Sequence, residues 1–596
     1  MSRTRLSMAS ACLALFAAGC GSGSGGGGSS GNTDSGGASG NASGGSTGNA
    51  SGGSTGNASG GSTGNPSGGS AGNASGGSTG NANGGSAGNA AGGSAGNAKG
   101  GSTGNASGGS TGNPNGGAAG SNPGGSPGGA AAGGSQAAGG SSSTGGTPMP
   151  STVLVTSASG SYWKTDAKWT EVTSGNATVT VNDTTAQDWQ GFGGAFNELG
   201  WSYLTTKDMQ DKALQLLFGD DGCRFAWGRI PIGASDYATS RYTDDEVSSG
   251  SDTSMSSFSI DRDKDKLIPY IKAAQAVKSD IKFWGSPWTP PTWMKATPYL
   301  SPGNPVNAFD GGTMKSDDAT LKAHAQYFVK WVQAFQDQGI KIEFVAPQNE
   351  PNYQQNYPSC HWDTTNFVKF VGSYLGPALT AANLSTKVMD GTLSNTNGDS
   401  DIGQQVLKDS TAKGFVGVIG VQWGMAAANQ VTTLKGLANG VPIWVSEHQC
   451  GGTMGSTAPA PNDFNYGKDS WGYIRDAIKN GLTAYNAWNM VLDKGGMGID
   501  NTRKWPQNAL LVADSGQVTA TPAYYVFRHV SQYVDPGAKV LGTSSNDSVA
   551  FKNPDGSIVA VMYNSGSANA NYIVALAGKK LQFSMPGSGW ATVKYQ

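Results

Sequence analysis

The 596 residues divide sharply: 21–150 hold 50 of the 95 glycines, no Trp, Tyr or Phe, and only two charges, Asp34 and Lys99. So little apolar surface cannot offset the entropy of ordering, and no packed fold is expected there. Residues 151–596 carry every tryptophan and a near-balanced 35 basic and 39 acidic side chains, which excludes the basic footprint of a nucleic-acid-binding domain.

In chain order, residues 1–20 read as an export signal. Arg3 and Arg5 precede an apolar run, Leu6 to Ala18, that is too short to span a bilayer. The run ends in Leu15-Phe16-Ala17-Ala18-Gly19-Cys20, which is similar to a bacterial lipoprotein signal whose cysteine is lipidated and becomes the new N-terminus. Cys20 is therefore the expected lipidation site. The expected location is the bacterial cell envelope or surface, or the medium if the cysteine is not used. From about Asn41 a unit close to Asn-Ala-Ser-Gly-Gly-Ser-Thr-Gly repeats. A period of eight with no apolar position has no face to stack, so 21–150 reads as a disordered tether and not a solenoid. Contact with a membrane is expected only through the N-terminal lipid.

Residues 151–190, which alternate over Thr178–Val181, predict a strand or two of a side sheet. Eight short apolar runs follow: Gly191–Ala195, Phe225–Pro231, Ile281–Gly285, Ile342–Pro347, Lys387–Asp390, Val416–Val421, Ile443–Ser446 and Thr483–Trp488. Amphipathic stretches such as Lys264–Ala276 and Ala319–Gln338 separate them. The second of these carries Phe328, Trp331, Val332 and Phe335 at helical spacing. Strands alternating with helices over 191–510 predict an α/β fold, a (β/α)8 TIM barrel. Beyond 510 the pattern becomes short alternating strands: Val549–Phe551, Ile558–Tyr563, Tyr572–Leu576 and Trp590–Tyr595. They predict a side β-sandwich over 511–596, completed by the segment before the barrel.

Active sites of such barrels sit where the strands end, so polar residues that follow apolar runs carry the chemistry. Asn349-Glu350-Pro351 closes the fourth run, and Ser446-Glu447-His448 closes the seventh. Strands four and seven lie across the mouth of a barrel, which lets Glu350 and Glu447 face each other. Glycosidic bond cleavage needs this pair: one carboxyl protonates the leaving oxygen and the other stabilises or attacks the anomeric carbon.

Several motifs together resemble glycoside hydrolase family 30. They are Gly191-Phe192-Gly193-Gly194-Ala195-Phe196 on strand one, Arg229-Ile230-Pro231 to Asp236 on strand two, and Gly285-Ser286-Pro287-Trp288 running to Met294 after strand three. Asn349-Glu350-Pro351 after strand four and Trp488 to Asp493 after strand eight complete the set. The resemblance runs from about 190 to 596. It implies a retaining β-glycosidase acting on a polysaccharide or glycoside, with Glu350 as acid/base and Glu447 as nucleophile. Asn349 then bonds the sugar 2-hydroxyl, Arg229 pairs with Glu447, and Asp236, Trp288, Trp423 and Trp488 contact substrate. Within that family an endo-β-1,6-glucanase is the expected activity; a glucosylceramidase-like β-glucosidase, a β-1,6-galactanase and a glucuronoxylanase are the alternatives. Related barrels often carry a His-Trp-Tyr type motif after strand six that positions the nucleophile, whereas this chain has Gln422-Trp423-Gly424. After strand eight, Asn501 is one candidate for a further sugar-binding asparagine. A surface carbohydrate-binding lipoprotein on an inactive barrel is the reading from another class, and it would not require both glutamates in intact motifs.

The four histidines, His324, His361, His448 and His529, show no metal-ligand spacing, and no phosphate-binding glycine motif follows a strand. No metal, cofactor or partner chain is implied, so a monomer is expected. Of the five cysteines, Cys223, Cys360 and Cys450 lie in the folded part. Cys360 and Cys450 follow strands four and seven at the catalytic face. In an oxidising compartment a disulfide between them is expected, with Cys223 left as the odd thiol.

Overall fold

The computed structural model describes residues 152–297, 307–499 and 504–596. The leader, Cys20 and the repeat segment expected over 1–150 lie outside the described residues.

Eight parallel strands form a closed barrel: Gly191–Ala195, Trp227–Ile232, Lys282–Pro287, Ile342–Val345, Lys387–Leu393, Val416–Gln422, Ile443–Glu447 and Ala484–Asn489. They pair in chain order and the eighth closes on the first, with Ala484 opposite Gly191. Every run expected from the sequence is one of these strands. Their near-continuous burial follows from being covered on both faces, by helices outside and by one another's side chains inside.

The barrel is filled, not hollow. Trp227 of strand two and Trp444 of strand seven are separated by two intervening strands, yet their ring centroids are 4.5 Å apart. Phe344 of strand four meets both, at 6.0 and 5.3 Å, so these contacts cross the lumen. The crowding extends to strand one. A Cβ on Gly193 would lie 2.4 Å from the Trp227 carbonyl oxygen and 2.6 Å from Asn486 Oδ1. A Cβ on Gly194 would lie 2.6 Å from the Met490 side chain, so both positions of strand one have room only for glycine.

Outside, the helix Asp318–Asp337 shows how the sequence sets an element. Asp317 caps it by accepting the Thr320 N–H at 2.9 Å, and Leu321, Phe328, Trp331, Val332 and Phe335 bury one stripe against the barrel. His324 lies on the same stripe among Tyr327, Phe328, Trp362 and Phe370. Burial pulls its imidazole down to about 3, so it is a neutral core residue.

The second layer system is a β-sandwich. Its strands, by range, are ordered 161–164, 153–158, 589–595, 558–564, 548–552, 539–543, 179–188, 570–576, 579–585 and 169–171. Strand Val179–Asp188 is shared between the two layers: Val181 to Asp188 pair with 539–543, while Val179 and Thr180 pair with Val574 and Ala575. Leu154, Val179, Leu541, Met562, Leu581 and Phe583 pack between the layers. Four of the ten strands come from the segment before the barrel, more than the one or two expected. Neither 153–158 nor 161–164 alternates clearly, because the first is buried on both faces over 154–157 and the second has no fully buried residue.

The boundary expected at 510/511 falls too early. Leu511–Asp514 pairs in parallel with Val491–Asp493, directly after barrel strand eight, and then in a hairpin with Gln517–Ala520. Helix Pro522–Ser531 packs on helix Phe464–Lys479 of the barrel. Residues 511–535 are therefore barrel, and short alternating strands misled because a barrel appendage and a sandwich share that pattern. His529 of this helix joins the domains through Ser157 and Thr592, at 2.8 Å each.

Candidate active site

Glu447 is the last residue of strand seven and is held extended. Glu350 lies beyond strand four, in a turn bonded to the strand on either side. The Asn349 N–H donates to Pro287 O at 2.7 Å, and the Glu350 N–H donates to Thr392 O and Oγ1 at 3.3 and 3.2 Å. Those bonds hold Glu350 at a φ of +47°, a left-handed conformation that side chains disfavour. Trp423 sits at +49° after strand six. Two residues of one site carry local backbone strain that the surrounding barrel over-determines.

Arg229, fully buried in the middle of strand two, organises the floor. Its Nη1 donates to Glu447 Oε2, Nη2 to Asn349 Oδ1 at 2.6 Å, and Nε to Ser286 Oγ at 3.1 Å. The guanidinium carbon stands 4.3, 5.0 and 5.3 Å from the ring centroids of Trp288, Trp284 and Trp488. Aromatic faces and a carboxylate replace the water this cation has lost. Asn349 Oδ1 also accepts from Thr392 Oγ1 at 2.9 Å. With that oxygen doubly engaged, the Asn349 amide presents Nδ2 as its donor, the group a sugar hydroxyl would accept from.

The two carboxyls differ in environment. Burial raises the Glu350 carboxyl well above the ordinary range, and the charge of Glu447 is the next cause. Asp399 and Asp236 add to it, and Arg229 opposes. Glu350 therefore stays protonated where an exposed glutamate is ionised. Asp399 is itself pushed up to about 6 by burial, although it accepts N–H bonds from Asn352, Ser394 and Asn395. Those bonds clip the turn after strand four to the one after strand five.

The structure brings Arg229, Asp236, Trp288, Asn349, Glu350, Glu447 and Trp488 into one region. Trp288 and Trp488 stack on each other at 5.2 Å and are only 2% and 3% exposed. They form a wall that also supports Arg229, in place of the open platform expected of tryptophans at a barrel mouth. Trp423 is half-buried, and its ring stands 6.4 Å from Trp505, a residue the sequence reading did not single out. Trp505 donates to Gly451 O at 2.9 Å, and Trp488 and Asn489 both donate to Gln507 Oε1, at 3.0 and 2.9 Å. Ser286 and Thr392 were also missed. Each ends an apolar run, the same signal that exposed the glutamates, but strand five runs three residues past its expected end at Asp390. Asn501 lies outside the described residues.

The disulfide expected between Cys360 and Cys450 is not formed; both are free, buried thiols, as is Cys223. Cys360 belongs to the helix-side core, where burial pushes its thiol up to about 12. Cys450 belongs to a separate apolar cluster with Trp288 and Trp488, and its thiol donates to Glu447 Oε1 at 3.8 Å. Sequence placed both on the catalytic face, but their side chains serve different cores.

Comparison with known proteins bears on this geometry. The family model described as the glycosyl hydrolase family 30 TIM-barrel domain matches residues 189–534, and the family 30 beta sandwich domain matches 537–593. The chain belongs to glycosyl hydrolase family 30. It is a glycoside hydrolase, and its substrate is a glycan. Endo-1,6-beta-D-glucanase BGN16.3 of Trichoderma harzianum is 28% identical over 391 residues, covering 62% of this chain and 74% of that one. The lysosomal acid glucosylceramidase of Mus musculus is 26% identical over 405 residues, covering 63% and 75%. In fold the chain is similar to the endo-beta1,6-glucanase BT3312, with a TM-score of 0.65 and 24% identity over 74% of this chain and 99% of that one. The family barrel ends at 534, in agreement with the place of helix Pro522–Ser531 in the structure.

Proposed function

We propose that this family 30 hydrolase is a retaining β-glycosidase, with Glu350 as general acid/base and Glu447 as nucleophile. One observation carries the assignment: a carboxyl kept protonated by burial feels the charge of a second, equally buried carboxylate that is bound by Arg229. The first delivers a proton to the departing oxygen, and the second attacks the anomeric carbon from the opposite face. Asn349, with Nδ2 as donor, binds the sugar 2-hydroxyl beside the reacting carbon. Glu350, then ionised, removes the proton of the water that releases the sugar. NMR of the first-formed product tests the stereochemistry: retention supports the roles, and an inverted anomer overturns them.

Within the family, endo-β-1,6-glucan hydrolysis is the reading the named relatives support best, with a glucosylceramidase-like β-glucosidase second. Linear β-1,6-glucan cleaved to a ladder of oligosaccharides supports the first. Release of glucose alone, with turnover of glucosylceramide, supports the second. We further propose that the enzyme is exported, anchored through lipidated Cys20 and monomeric. Membrane fractionation of wild type against Cys20→Ser tests the anchor, and sedimentation of the soluble variant tests the monomer.

A further inference from the structure

Gln422 ends barrel strand six, one strand away from Glu447 and opposite it in register. It has no exposed surface. Its Nε2 donates to Glu350 Oε1 at 3.0 Å, while its own Oε1 is buried with no hydrogen-bond partner. Leaving an amide oxygen unsatisfied in a barrel interior costs free energy, so the orientation that reaches Glu350 is held at the expense of the rest of the side chain. The following residue, Trp423, takes up the left-handed backbone at +49° that ends the strand and turns the chain away.

We propose that Gln422 is a positioning residue that fixes which oxygen of Glu350 carries the acid proton. The inference rests on the acid/base role given to Glu350 above. An oxygen that accepts an N–H bond cannot also present its own proton along that direction. With Oε1 committed to Gln422, the proton resides on Oε2, the oxygen left to face the departing group. After the first step the same bond stabilises the Glu350 carboxylate, which must then act as a base. An amide neither gains nor loses a proton over the working range, so this control does not change with pH. An imidazole in its place would ionise within that range and alter the charge beside the acid. Thr392 holds the backbone of Glu350, and Gln422 holds its carboxyl; neither function overlaps the other.

The test uses the full-length enzyme with Gln422→Leu and Gln422→Glu, each assayed on two substrates. One is an aryl β-glycoside whose leaving group needs no proton, and the other is an alkyl glycoside or oligosaccharide that does. Gln422→Leu removes the bond that favours the carboxylate, so the alkaline limb of kcat/KM moves up by about one pH unit. Loss of activity is at least tenfold greater on the poor leaving group. Gln422→Glu places a second acceptor against Oε1, and the limb moves up further. A Gln422→Leu enzyme that loses activity equally on both substrates, with an unmoved limb, overturns the proposal. If that variant does not fold, an unmoved limb in the isosteric Gln422→Glu enzyme does so. Glu350→Ala serves as the control: if azide restores its activity on the aryl glycoside, the acid/base assignment stands whatever Gln422 shows.

Discussion

Arg229 binds Glu447 through Nη1 from a position with no access to water, and Glu447 itself is only 5% exposed. A pair this deep is unequal in its consequences. It adds little net stability over an apolar isostere, yet removing one partner leaves an uncompensated charge.

Arg229→Met is therefore expected to lower stability by about 3–5 kcal/mol and to abolish turnover. Arg229→Lys keeps the charge but cannot serve Glu447, Asn349 and Ser286 together, because an ammonium lacks the planar fork. It should retain most of the stability while losing at least about a hundredfold in kcat. Thermal unfolding beside steady-state kinetics separates the two effects. A Lys variant with near-native kcat would show that orientation by the fork is dispensable.

The raised Glu350 carboxyl fixes the direction of the pH profile. An acid whose value is raised remains protonated through neutral pH, and activity falls as pH climbs through that raised value. Burial is the larger cause and Glu447 the second, so Glu447→Gln should move the Glu350 titration downward without returning it to the ordinary range. Carbon NMR of labelled glutamate in that inactive variant reads it directly. An unchanged titration would mean the two carboxyls do not sense each other.

Half-buried Trp505 and Trp423 face each other and pack against the cluster that holds Trp288 and Trp488. Trp505→Ala should raise KM for a polysaccharide about tenfold, since a flat ring is lost from beneath a sugar further along the chain. A small aryl glycoside, which ends at the reacting bond, should show little change. Equal effects on both would place Trp505 in the support of the site and not in substrate binding.

Asp390 in strand five is fully buried, and neither carboxylate oxygen has a partner. Burial raises its value well above the usual range, so the folded protein keeps it protonated. An unfolded chain would release that proton above about pH 4, and the folded state is penalised increasingly as pH rises from there. Asp390→Asn should accordingly raise the melting temperature at pH 7, with the gain vanishing near pH 4. A stabilisation independent of pH would contradict this account.

The barrel was legible because each strand is a short apolar run and each separating helix has a stripe, as Phe328 and Trp331 show. Glu350 and Glu447 were legible because polar residues that end such runs stand out. The roles of Gln422, Thr392 and Ser286 were not, because each acts on a residue of another strand or of the turn after it, more than 40 residues away in sequence. Cys360 and Cys450 show the reverse: their positions after strands four and seven are plain in the sequence, but which core each side chain enters is decided by packing. Trp288 and Trp488 follow strands three and eight in the sequence, but their burial against Arg229 depends on a strand-two residue far from both.

Val153 and Lys594 are paired in adjacent strands of the sandwich, although about 440 residues of chain lie between them. During synthesis the first strands of the sandwich must wait for the last. At about 5–20 residues per second the delay is on the order of a minute; 153–158 then has only 161–164 beside it, and 179–188 has no partner until 539–543 is made. The barrel is completed inside that interval, so its helix Pro522–Ser531 is formed before the final strand, and His529 can receive Thr592 on an existing surface. A stop codon just after 536 would thus release a chain whose barrel is finished but whose strands 153–158 and 179–188 never meet 589–595 and 539–543. Such a product is marked for aggregation by strands at its beginning, far from the place where it was cut.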